Sequence, residues 1–327
     1  MQIWFWIGFV VLVLGVLALD LGVLSRGAKV ITTKAALAFS GFCVALALAF
    51  GVLIYFMYEG NWFDIAMGSG KRLSGAEAAT QYITAWIIEQ SLSLDNIFVI
   101  ALIFGYFAVP REHQHRTLFW GIVGALVMRC IMILAGAILI KQFHWIIYVF
   151  GGILLWTAYK MWRGTDEKLE PERNPLVKLA KSYFPISPGF VKEQFFTRLD
   201  GRLHATPMFL VLLVIESTDL IFAVDSIPAV FAVTKDPFIV FTSNVFAILN
   251  LRSLYFALAE MLERFHYLKP SLVIILAYVG VKMLLSEVFP IPTGVSLAVI
   301  ALTLAGGVVL SLILTKPHAP ADASKAA

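Results

Sequence analysis

Charge is scarce in this chain. Only 14% of its 327 residues are Asp, Glu, Lys or Arg, whereas 60% are hydrophobic and the mean hydropathy is +0.86. A water-soluble domain carries about a quarter charged residues, so this balance excludes one and implies a polytopic membrane protein whose surroundings are a lipid bilayer. Cysteine is nearly absent: Cys43 and Cys130 stand alone in apolar stretches with no CxxC spacing, leaving two packed thiols and no disulfide. No run resembles a strand series, so the fold class is all-α. A formal charge of +4, with the basic residues confined to loops, excludes nucleic acid as a partner. Neither a GxxxxGK[ST] run nor a nucleophile–base pair is present, so nothing points to an enzyme or a prosthetic cofactor. MQIWFWIG has no basic n-region and no A-x-A-like site follows it, which argues against a cleaved signal peptide.

Long apolar runs are what the chain has instead. At about 20 residues per span, nine segments can be read, near 3–24, 35–57, 82–107, 117–140, 144–162, 207–233, 239–259, 270–289 and 293–314. Connections rich in Lys and Arg (Arg26/Lys29/Lys34, Arg111/Arg116, Arg163 through Arg202, Arg264/Lys269, Lys316/Lys325) alternate with poorer ones. The positive-inside rule then puts the N-terminus outside and the C-terminus in the cytoplasm. Segment 163–206 is the one sizeable soluble piece. In it, Asn174-Pro175 predicts a helix start with Leu176, Leu179, Ala180 and Tyr183 on one side, and Asp200-Gly201 predicts a hairpin. The tail 315–327 reads as a disordered end.

Two apolar stretches carry acids at the same spacing. Glu89 and Asp95 lie in WIIEQSLSLDNIFVI; Asp219 and Asp225 lie in ESTDLIFAVDSIPAV, with Glu216 one turn earlier. Aligning Asp95-Asn96 with Asp225-Ser226 puts Glu89 opposite Asp219. Further along, Arg129 in GALVMRCIMI matches Arg252 in AILNLRSLYF and Lys160 in TAYKMW matches Lys282 in VGVKML, so the order acid, acid, Arg, Lys occurs twice, over 82–162 and 207–289. Three spans is an odd number, so the second unit must enter the membrane from the other side: an inverted repeat. The two spans within 1–57 and the last span, 293–314, lie outside it.

Ionised carboxylates in hydrocarbon persist only beside a partner, water or a bound cation. On a straight helix a six-residue separation leaves two acids about 120° apart, whereas Glu89 with Asn96, and Asp219 with Ser226, share a face. Convergence of all these oxygens on one ion therefore needs local unwinding, for which Pro228 offers a cause by freeing the carbonyl of Val224; otherwise the acids serve different positions along a path. The candidate metal ligands are Glu89, Asp95, Asn96, Glu216, Asp219, Asp225 and Ser226; the supporting residues are Arg129, Arg252, Asn244, Asn250 and Lys282. An oxygen-only set suits Mg²⁺, Ca²⁺ and Mn²⁺ over Zn²⁺ or Cu⁺. Asp20 reads either as an interfacial partner of Arg26 or as a gate, and His113 and His115 as a solvated loop.

SLSLDNIFVI, ESTDLIFAVDSIPA and TSNVFAILNLRSLYF resemble the TerC family of bacterial integral membrane proteins, in its Alx-like branch, over nearly the whole chain. That resemblance implies an inner-membrane protein linked to manganese homeostasis and exporting Mn²⁺, with older associations with tellurite resistance and alkaline pH. It also implies a fold similar to LysE-like exporters with inverted three-helix repeats, and functional roles for Glu89, Asp95, Glu216, Asp219 and Asp225. The competing expectation is a non-transporting membrane partner or stress sensor that docks through 163–206 on protein partners the sequence does not name.

Overall fold

The computed structural model describes all residues except 1–2, 25–31, 63–64, 66–71, 144, 165–173, 192, 200, 259–266, 287, 290 and 315–327. Arg26, His144, Asp200, Arg264 and the tail therefore lie outside the described residues. The elements run α1 (Ile3–Leu24), α2 (Thr33–Glu59), α3 (Gly75–Tyr106), α4 (Arg111–Gln142), α5 (Ile146–Trp162), α6 (Pro175–Tyr183), β1 (Phe196–Leu199), β2 (Arg202–Ala205), α7 (Pro207–Phe231), α8 (Pro237–Leu258), α9 (Leu268–Leu284) and α10 (Thr293–Leu314). Six helices (α2, α3, α4, α7, α8 and residues Thr293–Ser311 of α10) are long and apolar enough to cross a membrane, while α5 and Trp6–Asp20 are shorter apolar helices.

The helix starts are written in the sequence. Ser74 and Glu77 form a capping box in which the Glu77 backbone N–H donates to Ser74 Oγ and Glu77 Oε2 accepts from the Ser74 N–H. This box starts α3 seven residues before the apolar run at 82. Asn174 caps α6 with Pro175 at its first position, and Asp236 caps α8 by accepting from the N–H groups of Phe238 and Ile239 at 2.9 and 3.3 Å.

Helix α8 is the hub. Most of it is buried, with α1, α2, α3 and α4 packed around it. Aromatic contacts of Trp6 and Phe9 with Phe238 and Phe241, and of Phe50 and Tyr82 with Phe246, fasten α1, α2 and α3 to it. Helix α4 shows how the membrane is read: Val127, Ile131, Leu134 and Ile138 form an exposed stripe, whereas Ala125, Arg129, Ile133 and Gly136 are buried. On its inner side α4 comes close to α7, where a Cβ on Gly121 would meet Ile215 at 3.3 Å and one on Gly136 would meet Phe231 at 2.8 Å.

Helices α5 and α9 meet through a reciprocal contact. A Cβ on Gly151 would lie 3.1 Å from the carbonyl oxygen of Gly280 and against Leu284; a Cβ on Gly280 would lie 3.1 Å from the carbonyl oxygen of Gly151 and against Leu155. Lys160 stands nine residues after Gly151, but Lys282 only two after Gly280, so the two lysines are not counterparts in this contact.

The connector contains α6 and the hairpin β1–β2, whose register pairs Phe196 with Ala205 and Leu199 with Arg202 around Gly201 at φ +76°. On α6 the buried residues are Val177 and Ala180, while Leu176, Leu179 and Tyr183 are exposed. The expected apolar side thus divides: Ala180 packs on the protein, and the larger side chains face away from it.

Candidate functional site

One arginine gathers the site. Arg129 of α4 donates from Nη1 to Glu89 Oε2 on α3 at 2.7 Å and to Ser226 Oγ on α7 at 3.2 Å. It also forks onto Asp219 of α7, from Nη2 to Oδ1 at 3.2 Å and from Nε to Oδ2 at 3.4 Å. The second oxygen of Glu89 accepts from Asn244 Nδ2 of α8 at 2.6 Å. Glu89, Arg129 and Asn244 are almost wholly buried, and Asp219 is only slightly more open. Four helices therefore each contribute a polar side chain from near their midpoints, the depth at which an uncompensated charge is most costly. Asp219 and Ser226 share the α7 face that Arg129 reads, as their seven-residue spacing requires.

The remaining sequence-predicted residues sit elsewhere. Asp225 turns about the α7 axis away from Arg129 and accepts from Thr157 Oγ1 of α5 at 2.7 Å. Glu216 lies half-buried in the seam between α7 and α4, against Gly124. Asp95 is half-buried six residues further along α3; because α3 starts earlier than the apolar run suggests, Glu89 and not Asp95 occupies its midpoint. Asn96 is buried, and with Thr218, Asp219 and the apolar Ile100, Leu118, Ile122 and Ile215 it lines a cavity between α3, α4, α7 and α8. The Oδ1 atoms of Asn96, Asn244 and Asn250 have no hydrogen-bond partner among the described residues.

Three readings from sequence need correction. Asp20 is partnered by Arg252, whose Nη1 lies 2.9 Å from Asp20 Oδ2, and it is 4% exposed on α1 where that helix packs on α8. Lys282 faces α10 and donates to Ser296 Oγ at 2.8 Å, where Tyr278 also donates at 3.1 Å. Pro228 does not unwind α7, which stays helical from Pro207 to Phe231, although Pro228, lacking an N–H, gives the Val224 carbonyl no intrahelical donor. On a continuous helix the acids cannot all converge, and among the described residues no three acidic, His or Cys side chains form one metal-holding group.

Sequence reasoning missed Thr157, which lies in a span without acids of its own, and it missed the tie from Asn174 Nδ2 of the connector to Ser217 Oγ of α7. His113 and His115 lie in the first turns of α4, where Glu193 of the connector stands 3.9 Å from both His115 and Arg116. Cys43 and Cys130 are free thiols on α2 and α4.

Comparison with known proteins follows the same lines. Residues 74–319 match the model of the family described as "Integral membrane protein TerC family". The chain is 47% identical over 323 residues to an uncharacterized membrane protein of Myxococcus xanthus, covering 98% of this chain and 96% of that one. It is 44% identical over 296 residues, 90% of each chain, to a protein of Escherichia coli (strain K12) named "Putative membrane-bound redox modulator Alx". A membrane protein of Rickettsia bellii is 39% identical over 308 residues, 94% of this chain and 97% of that one. No solved structure matches.

Proposed function

The chain belongs to the TerC family of integral membrane proteins, and we propose that it is a secondary exporter of Mn²⁺ that exchanges the ion for protons across the bacterial inner membrane. In this reading its N-terminus is outside and its C-terminus is in the cytoplasm. The observation that carries the proposal is the pair of carboxylates, Glu89 and Asp219, held on the single guanidinium of Arg129 beside a cavity that reaches Asp219. Such a cluster is an expensive way to hold helices together in a bilayer, and intramembrane ionisable groups at this depth mark ion pathways.

The chemistry follows from what Arg129 occupies. Both oxygens of Asp219 and one of Glu89 are engaged by it, so a cation that binds these oxygens must displace the guanidinium. Ion binding and the ion pair are then alternative states of one site, as alternating access requires. Carboxylate oxygens, the amide oxygens of Asn96 and Asn244 and the hydroxyls of Ser226 and Thr218 form a hard donor set, suited to Mn²⁺, Mg²⁺ and Ca²⁺. Mg²⁺ gives up water reluctantly, which favours Mn²⁺ in a site walled by Ile100, Leu118, Ile122 and Ile215. Glu89 and Asp219 share the one guanidinium of Arg129, and a carboxylate that loses such a partner in a low dielectric takes up a proton. That uptake supplies the proton coupling.

The reciprocal Gly151–Gly280 contact, and the meeting of Glu89 with its sequence counterpart Asp219 on one arginine, support an inverted repeat of α3–α5 with α7–α9. Purified protein in liposomes, challenged with a panel of metals, tests the proposal. Mn²⁺ flux that Asp219→Asn abolishes is expected. Zn²⁺ or Cu⁺ displacing Mn²⁺ would contradict the oxygen-ligand site, and absence of flux for every divalent ion would leave a membrane partner docking through the connector.

A further inference from the structure

We infer that Gly124 of α4 is a positioning residue for ion binding, acting by keeping open the slot in which the Glu216 carboxyl group rests; the inference rests on the cation-transport reading of this site. A Cβ built on Gly124 would run directly into the Glu216 side chain, both into its carboxyl carbon and into its oxygens. No other glycine of α4 faces an acid: Gly121 faces Ile215 and Gly136 faces Phe231. Glu216 makes no hydrogen bond or ion pair with the described residues, so what holds its carboxylate in the α4–α7 seam is the shape of α4 at this one position.

The place matters because of what lies beside it. Glu216 precedes Asp219 by three residues on α7, so the two side chains are neighbours on one helix surface, and their charges interact. Gly121 and Ala125, on either side of Gly124, line the cavity that reaches Asp219. With the slot open, Glu216 adds a carboxylate at the edge of that cavity. It is not tied to Arg129, and it meets an arriving cation before the guanidinium has been displaced. With the slot closed by a methyl group, the flexible Glu216 side chain swings out of the seam at little cost to the fold, because Ala favours the helix more than Gly does.

The test is a double-mutant cycle on Mn²⁺ binding to the full chain in nanodiscs, read with thermal unfolding of the same samples. Gly124→Ala and Glu216→Ala are each expected to weaken Mn²⁺ binding roughly tenfold, the scale of a lost supporting interaction around a metal. The double variant should bind no more weakly than Glu216→Ala alone, with unfolding midpoints near the wild type throughout. A Gly124→Ala protein that binds like the wild type, or one whose loss adds in full to that of Glu216→Ala, overturns the inference. So does a Gly124→Ala protein that fails to fold in both backgrounds, since Gly124 would then serve packing alone; folding restored by Glu216→Ala would support it. A wild type that binds no Mn²⁺ is a separate result, which removes the transport reading itself.

Discussion

Arg252 and Asp20 form an ion pair at 2.9 Å in which the arginine side chain is inaccessible and the carboxylate nearly so. The two mid-membrane arginines therefore do different work. Arg129 ties Glu89 of α3 to Asp219 of α7, whereas Arg252 joins α8 to α1. Asp20→Asn removes a charged partner from a buried guanidinium, for which a destabilisation of about 3–5 kcal/mol is expected. Thermal unfolding of the purified variant in detergent checks this; an unchanged midpoint would reduce the pair to a passive contact.

Arg129→Lys keeps the charge but loses the fork that spans Glu89, Ser226 and Asp219. A lysine can satisfy one carboxylate well, so the other is freed for an ion. Mn²⁺ binding to this variant is expected to tighten while net export slows, measured by titration and by flux on the same preparation. Weaker binding would mean that Arg129 assists the ion in place of opposing it.

Asp95→Asn and Asp225→Asn should each abolish export and leave the protein folded, because an amide keeps the shape of the carboxyl group and, at Asp225, still accepts from Thr157 Oγ1. Thr157→Val, which removes only the hydroxyl donor to Asp225, should slow export less than Asp225→Asn does. Initial rates of Mn²⁺ uptake into inverted vesicles decide the order.

The contact between α5 and α9 makes a paired prediction. Gly151→Val and Gly280→Val would each drive a side chain onto the partner's carbonyl, at equal distances of 3.1 Å. Their destabilisations should agree within about 1 kcal/mol, at 1–3 kcal/mol each for overpacking. A large difference between the two unfolding midpoints would show that the contact is not symmetric in energy.

The comparison of sequence with structure divides along physical lines. A helix lies in each of the nine apolar segments, and six of these helices are long and apolar enough to cross a membrane. The shared face of Asp219 and Ser226 followed from helical geometry alone. Partners across helices did not: nothing local ties Asp20 to Arg252, Thr157 to Asp225 or Asn174 to Ser217, since each pair is set by which helix packs on which. The start of α3 lies outside the apolar run that marked its span. Ser74 and Glu77 extend the helix through polar residues beyond the apolar run, and that extension moves the midpoint from Asp95 towards Glu89. Pro228 suggested a break, but α7 continues through it to Phe231.

The most direct test is the pH inside proteoliposomes, followed together with Mn²⁺ movement for the wild type and for Asp219→Asn. The account predicts that Mn²⁺ entering the vesicles is matched by protons leaving, so that the interior becomes alkaline in the wild type, and that both movements vanish in the variant. Mn²⁺ moving at the full rate with the interior pH unchanged would contradict proton exchange, and flux surviving in Asp219→Asn would contradict the Arg129 cluster as the site.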